Sequence, residues 1–122
     1  MSVTVNINIS GAEEFKQAIT RFDEAMKRQI QTKLAGWAQT TKTDAERLVP
    51  VRTGYLKSTI YAKTQDWQIE IGATAPYAAL IELGNSMRRA KPFLVPAVQN
   101  RLPELQHVIN EAIATAKTEA RL

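Results

Sequence analysis

The side chains best suited to chemistry are few and scattered. The chain has no cysteine and a single histidine, His107, so cysteine nucleophiles and thiolate metal ligands are excluded. His107 falls in the apolar pattern of a C-terminal helix, without a partner that would make it a general base. Sequence patterns of serine hydrolases, zinc proteases and nucleotide-binding loops are absent. We predict a protein that is not an enzyme, with no catalytic residue, metal, cofactor or small-molecule substrate.

Basic side chains concentrate in two stretches that contain no acid. The first lies between Glu46 and Asp66, and the second lies between Glu82 and Glu104. Together they hold eight of the sixteen basic residues, so the rest of the chain, with eight basic and twelve acidic residues, is net acidic. A patch of one sign attracts an acidic partner, either a protein surface or the DNA backbone. Solvated loops also collect Lys and Arg, so charge alone does not identify a partner.

Glu82 is the one acid inside the apolar phrase YAALIELG at residues 77–84. On a short amphipathic helix this side chain has two settings. It faces water, or it pairs with Arg52, Arg88 or Arg89 of the same or a neighbouring subunit, where a charge-assisted hydrogen bond would fix their orientation. The second setting predicts that Glu82 belongs to an assembly interface.

A strand and a long helix begin the chain. Apolar and polar residues alternate from Val3 to Ile9, which predicts a half-buried strand, and Ser10 followed by Glu13 is typical of a helix start. An apolar stripe with helical spacing then runs over residues 15–48, about 50 Å if the helix is unbroken. Either Gly36 breaks or bends this helix, or its second half packs on another subunit, or the whole stripe is core within the chain.

Turn residues divide the middle of the chain. Pro50 ends the long helix, and Gly54 supplies a positive φ for the turn that follows. Strand-type residues at Tyr55–Ala62 and Trp67–Ile71 are joined by a polar connector at Lys63–Asp66. This arrangement predicts an antiparallel hairpin.

Glycine and proline also delimit the C-terminal elements. A short helix at residues 77–83 ends at Gly84, and a basic loop follows at Ser86–Lys91. Pro92 and Pro96 bracket Phe93 and Leu94 before the last helix begins, because proline fixes the backbone of a turn.

The order of elements predicts one α+β domain over residues 1–122. A small antiparallel sheet, made of the N-terminal strand and the hairpin, packs against a long N-terminal helix and a C-terminal helix, with a short helix between. Pro103 is expected to kink or restart the C-terminal helix. The N-terminus lacks the pattern of a signal peptide, and no segment is apolar over the ~18 residues of a membrane span. We expect a cytosolic product with no membrane partner.

Three phrases carry a family resemblance in their order along the chain: PVRTGYLKSTI at 50–60, APYAALIELG at 75–84 and KPFLVPA at 91–97. The chain resembles the small tail-completion or head–tail joining proteins, also described as neck or minor tail components, of long-tailed lambdoid-type phages and prophages. In that family P-x-x-T-G-x-L precedes a strand, Y-A-x-x-x-E-x-G follows the hairpin and P-F-L-x-P-A opens the last helix. Thr59 and Asn85 depart mildly from the pattern, in which Ser and Thr are frequent at these places.

The resemblance implies a virion structural protein that completes the head-proximal end of the tail and helps join tail to head through ring assembly. Its expected partners are copies of itself in a ring, expected to be a hexamer, together with other phage neck and tail proteins. Non-specific contact with DNA passing through the ring is a further expectation. The protein would lie in the host cytoplasm during assembly and then in the tail or neck of the virion.

Two groups of residues follow from the implied role. The residues predicted for the interface are Arg52, Glu82, Arg88, Arg89, Lys91 and Phe93. The residues predicted to set turns are Pro50, Gly54, Gly84, Pro92 and Pro96. Tyr77, Phe93 and Leu94 are expected to anchor either the core or a subunit joint.

A second class of function fits the same basic stretches: a small basic cytosolic module that binds nucleic acid or acts as a regulator. It predicts strongly salt-dependent DNA or RNA binding by the isolated protein. A joining protein instead predicts little binding and concentration-dependent oligomers. The long helix mixes seven basic with six acidic residues, which is typical of a solvated face and not of a helix that reads DNA.

Overall fold

The N-terminal strand and the hairpin form one sheet. A computed structural model describes residues 2–8, 24–51, 54–65 and 68–120 of the chain. Three antiparallel strands, in the order β1-β3-β2, are β1 (Val3–Asn8), β2 (Ile60–Gln65) and β3 (Gln68–Ala73). Ile71 of the central strand lies opposite Val5 on one side and Ala62 on the other. The predicted N-terminal strand and antiparallel hairpin are confirmed.

The described helices are α1 (Glu24–Leu48), α2 (Tyr55–Ser58), α3 (Ala78–Leu83) and α4 (Leu94–Ala120). The long helices α1 and α4 pack on each other, and α1 also covers β2 and β3. This is the predicted α+β architecture, in which a small sheet packs against a long helix and a C-terminal helix. None of these helices is apolar over enough residues to cross a membrane.

The apolar stripe of α1 is core within the protomer in its second half. Leu34 and Trp37 are buried, with 2% and 4% of their surface exposed, where α1 meets α4 and the sheet. The stripe is buried within the protomer as far as Ala45, which leaves that part no surface for another subunit, whereas Leu48 at its end is 48% exposed. Gly36 does not break the helix. The predicted helix start at Ser10, and the stripe residues before residue 24, lie outside the described residues.

One cluster, the α1–α4 joint, ties the two long helices together. Arg101 Nε donates to Asp44 Oδ2 at 2.6 Å, and Arg101 Nη1 donates to Glu104 Oε2 at 2.8 Å. Trp37 Nε1 donates to the backbone carbonyl of Arg101 at 2.8 Å. The hydrogen bond from Arg101 lowers the pKa of Asp44, although burial acts in the opposite direction. The charged groups of this joint therefore have their partners inside the protomer.

The segment predicted as the first hairpin strand begins as a helical turn. Gly54 takes the expected positive φ, 82°, and α2 follows it directly. The Ser58 N–H bonds to the Gly54 carbonyl at 3.0 Å, and the Ser58 hydroxyl donates to the Tyr55 carbonyl at 2.6 Å. The strand prediction is thus wrong for residues 55–58, because these local hydrogen bonds compete with strand pairing.

The first strand of the hairpin begins and ends later than predicted, and the second strand ends later, at Ala73. β2 starts at Ile60 and takes in Lys63, Thr64 and Gln65, which the sequence pattern placed in the connector. Asp66 and Trp67 lie outside the described residues. Backbone pairing with the other strands sets these limits, and local composition does not contain that information.

The last helix is longer than predicted. It begins at Leu94, before Pro96, and runs through Pro103, so the restart expected at Pro103 is wrong. Proline at this position removes the N–H that would bond the carbonyl of Gln99. Gln99 and Pro103 are both exposed, so water can serve that carbonyl and the helix continues.

Candidate docking groove

The start of α4 is held by one buried carboxylate. Glu82, on α3, is 4% exposed. It accepts hydrogen bonds from the N–H groups of Phe93 and Leu94 at 3.1 and 2.8 Å, and a longer one from Val95 at 3.4 Å. A helix start leaves four N–H groups without intrahelical partners, and the fourth position here is Pro96, which has no N–H. The carboxylate and the proline therefore account for the whole N-terminus of α4.

This arrangement, the α3–α4 joint, does not place Glu82 in water, and it shows no pairing of Glu82 with Arg88 or Arg89; Arg52 lies outside the described residues. The side chain turns away from water, and among the described residues its hydrogen-bond partners are backbone N–H groups. A carboxylate at a helix N-terminus also interacts favourably with the helix dipole. The N–H of Lys91 donates to the carbonyl of Ile81 at 2.8 Å, which closes the loop between the two helices. Burial within the protomer leaves Glu82 little surface to offer another subunit.

The loop between α3 and α4 is a tight turn. Gly84 has a φ of 70°, and a β-carbon there would lie 2.6 Å from the backbone nitrogen of Ala90, so the position requires glycine. Asn85 Oδ1 accepts hydrogen bonds from the N–H groups of Met87 and Arg88 at 2.9 and 2.7 Å. Asn forms such turns readily and Thr forms them more weakly. This explains how Asn85 can occupy a place where the phage pattern often has Thr.

A groove of about 500 Å³, lined by both apolar and basic residues, lies beside this turn. Pro50, Val51 and Leu56 come from the first phrase, and Tyr77 and Ile81 come from the second. Leu56 and Ile81 are buried beneath the groove, whereas Val51 is 61% exposed and Tyr77 is 42% exposed. The floor of the groove is therefore apolar and partly open to solvent.

The rim of the groove is basic. Arg88, from the turn, and Lys91, from the third phrase, line it, and both side chains are exposed. No ion pair joins either of them, or the exposed Arg89, to an acid of the described ranges. An apolar centre with a polar rim is the usual anatomy of a protein–protein contact.

The predicted interface residues divide into three groups in the structure. Arg88 and Lys91 line the groove, whereas Arg89 is exposed beside it but does not line it. Phe93 is wholly buried, which favours the core alternative and leaves the interface hypothesis no surface to act through. Arg52 lies outside the described residues.

The residues predicted to set turns lie at the boundaries of the elements. Gly54 and Gly84 have positive φ values of 82° and 70°. Pro50 follows the end of α1 by two residues. Pro92 precedes α4, and Pro96 lies within its first turn, where a missing N–H costs no hydrogen bond.

Sequence reasoning named Tyr77 as an anchor and Pro50 as a turn residue, but it missed the other apolar lining residues of the groove, Val51, Leu56 and Ile81. Leu56 and Ile81 follow no visible surface pattern, because their partners come from distant parts of the chain. Val51 carried the one available signal: it is an apolar residue in a turn between Pro50 and Arg52, where local structure has no need for it.

The single histidine is an exposed residue of α4 and does not line the groove. His107 is 72% exposed on α4, and its Nε2 lies 3.1 Å from Glu111 Oε1 one helical turn away. Within the described ranges, no three His, Asp or Glu side chains are placed to hold a metal ion together.

Comparison with known proteins identifies a family. A family model described as "Bacteriophage HK97-gp10, putative tail-component" matches residues 13–84. No curated protein and no solved structure matches the chain. The match covers more than half of the chain, includes the first two phrases with Glu82, and ends before the third. The chain therefore belongs to the HK97-gp10-like family of phage tail components.

Proposed function

We propose that this chain is a virion structural protein that completes the head-proximal end of a phage tail and helps join the tail to the head by forming a ring. The observation that carries this proposal is the groove, whose apolar floor is open to solvent and whose rim cations have no ion pair within the described ranges. Exposed apolar surface rimmed by polar groups is typical of an interaction site. Membership in a phage tail family supports the same role.

The chain offers a second apolar surface that suits contacts between subunits. Val95 and Leu102 lie seven residues apart on α4, hence on one face of that helix, and they are 40% and 42% exposed. A closed ring needs complementary surfaces on each subunit. We assign this α4 face to the contact between subunits, in a ring expected to be a hexamer, and the groove to contact with the next component.

The rim cations extend this assignment. Arg88, Arg89 and Lys91 are exposed on one turn, and a cluster of one sign steers an acidic surface towards it. In the assembled neck these side chains would contact an adjoining protein or, non-specifically, the DNA that passes through the ring.

A deletion experiment tests the joining role. Removing the gene from the phage that encodes it is expected to leave filled heads and unattached tails, counted by electron microscopy. Purified protein added to the lysate should restore joined particles. Normally joined particles in the deletion lysate would overturn the proposal.

Ring formation is tested with the isolated protein. Sedimentation velocity should show oligomers that grow with concentration, and Leu102→Glu should weaken them. Leu83→Glu is the matched control, because Leu83 is exposed but belongs to α3 and not to α4. Neutralising Arg88 and Arg89 together should disturb joining in a salt-dependent way. Steeply salt-dependent DNA binding without oligomers would favour the nucleic-acid-binding alternative.

A further inference from the structure

The floor of the groove is built to bury an apolar group. Val51 and Tyr77 leave 61% and 42% of their surfaces in water, over the buried side chains of Leu56 and Ile81. Covering such surface with an apolar side chain is favourable, because the hydrophobic gain scales with the apolar area removed from water. The sugar–phosphate backbone of DNA is charged and strongly hydrated, so it matches this floor poorly.

The volume of the groove limits the size of its occupant. About 500 Å³ lies within the range of sites that hold small ligands or a few side chains. A short protein segment fits this space, whereas the body of a DNA duplex does not.

The rim selects for negative charge. Arg88 and Lys91 line the edge of the apolar floor, and the backbone of Arg88 is fixed by the bonds to Asn85. Arginine and lysine form short charge-assisted hydrogen bonds with carboxylates, and arginine can do so through two bonds at once. A segment that carries acids beside an apolar residue would therefore satisfy floor and rim together.

The acids of this chain are poor candidates for that role. Among the side chains that the structure describes, Asp44 and Glu104 bind Arg101, and Glu82 caps α4. Glu70 accepts a hydrogen bond from a tyrosine on the neighbouring strand, and Glu111 pairs with the histidine. Glu46, the sixth described acid, is half-buried within the long helix α1 beside the buried Ala45, so it does not belong to a free acidic segment. Among the described acids, a second copy of the chain would therefore have to present this helical Glu46 or break one of these contacts, whereas a different protein would not.

We propose that the groove binds an acidic segment of a different neck or tail protein, which inserts one large apolar side chain between the rim cations. The proposal rests on the joining function and names the chemistry of the partner at that site. It predicts that acid and apolar residues in the segment act together, because each matches a different part of the groove.

The test is an NMR titration of the ¹⁵N-labelled chain with synthetic peptides. The probe is a capped hexapeptide of sequence DELFDE, and the controls are KKLFKK, which lacks the acids, and DESSDE, which lacks the apolar pair. We expect DELFDE to shift the amides of Val51, Gly54 and Tyr77 with a Kd of about 1 mM or tighter. The control peptides should bind at least about tenfold more weakly.

Matched variants locate the binding site. Arg88→Glu should abolish the DELFDE shifts, whereas Lys57→Glu, an exposed charge change on α2 outside the groove, should not. Val51→Ser should weaken binding, while Met87→Ser should leave it unchanged, because Met87 is 93% exposed and does not line the groove. These four residues are exposed, so the variants are expected to fold.

Three results would overturn the proposal. The first is the absence of localised shifts with DELFDE, or equal shifts with KKLFKK. The second is occupation of the groove by another copy, seen as concentration-dependent shifts of the same amides without peptide. The third is a short DNA duplex that shifts these amides when DELFDE does not. Because the titration uses the isolated chain, its result is independent of the deletion experiment. If the deletion shows that the protein is required for joining but DELFDE does not bind, this inference is refuted and the joining role is not.

Discussion

The two joints of α4 and the rim of the groove use charge in opposite ways. In the α1–α4 joint, Asp44 and Arg101 bind each other at 2.6 Å, and in the α3–α4 joint Glu82 binds the backbone of the next helix. On the rim, Arg88 and Lys91 project beside apolar surface without an ion pair to the described acids. Charges that hold the fold are thus satisfied inside the protomer, whereas the rim charges, which we propose for a partner, have no ion pair among the described residues.

Whether a charged group is already bound within the protomer distinguishes residues that hold the fold from those we propose for binding. Residue type alone does not make this distinction. Glu82 and Arg88 are only six positions apart and both belong to the region where the phrases meet. One is 4% exposed with its acceptor atoms occupied, and the other lines a solvent-facing groove. The comparison predicts that replacing the first damages the fold and that replacing the second leaves it intact.

The largest effect on stability is expected from Glu82→Ala, which removes the buried carboxylate that caps α4. Removing the carboxylate leaves the N–H groups of Phe93 and Leu94 without an acceptor in a buried setting, at a cost of about 3 kcal/mol in the free energy of unfolding. Glu82→Gln keeps one acceptor oxygen and should lose less. Urea denaturation measures both, and equal losses for the two variants would contradict the capping role.

The next effect comes from the glycine that closes the turn. Gly84→Ala places a methyl group against the backbone of Ala90 at a positive φ, and we expect a loss of about 2 kcal/mol. Gly36→Ala is the matched control, because a β-carbon at that helical position would contact nothing and should stabilise the chain by about 1 kcal/mol. Thermal unfolding of both variants would show opposite shifts, and shifts of the same sign would count against the tight turn.

A smaller, pH-dependent effect is expected at the α1–α4 joint. Because the folded-state pKa of Asp44 is lowered by Arg101, its contribution to stability is present above the unfolded pKa and is lost as the pH falls through the folded value. Asp44→Asn should therefore destabilise the chain at neutral pH, and the difference from wild type should shrink below about pH 4.

The exposed pair of His107 and Glu111 supplies the control for this experiment. Glu111→Gln removes a partner from a surface pair and should change stability less than Asp44→Asn at neutral pH. Urea denaturation from neutral to acid pH measures both variants. A loss for Asp44→Asn that stays constant over this range would show that the ion pair is not its cause.

The smallest effect on stability is expected at the rim, where it tests whether the exposed cations contribute to the fold. Replacing Arg88 and Lys91 together by Ser removes two exposed charges without described ion pairs, so the free energy of unfolding should stay within about 0.5 kcal/mol of wild type. The same double variant should lose binding of the acidic peptide. A clearly lower free energy of unfolding would show that these cations stabilise the fold.

Much of the fold could be predicted from periodicity and from a few special residues. Alternation at Val3–Asn8 and the stripe that includes Leu34 and Trp37 each bury one face, so the pattern itself indicates what is inside. Gly54 and Gly84 were recognisable because a turn needs backbone conformations that other residues avoid. These signals are local, and the structure confirms them.

The functional assignments were harder because their causes are tertiary. Glu82 looks like a surface acid in its own phrase, and the helix start that it caps lies eleven residues further along the chain. The turn at Tyr55–Ser58 has strand-type residues, but hydroxyl-to-carbonyl bonds decide its conformation. The groove is lined by residues from three separate segments of the chain, so no single segment predicts it.

The spacing of eleven residues between Glu82 and Phe93 has a consequence for how this surface could evolve. The Glu82 carboxylate, near the end of α3, binds the start of α4 directly. The two helices therefore keep their relative position when the exposed side chains between Asn85 and Ala90 change. The exposed side chains of this turn, such as Met87, Arg88 and Arg89, can therefore change to suit a new neighbour while its backbone, packed closely against Gly84, keeps its course.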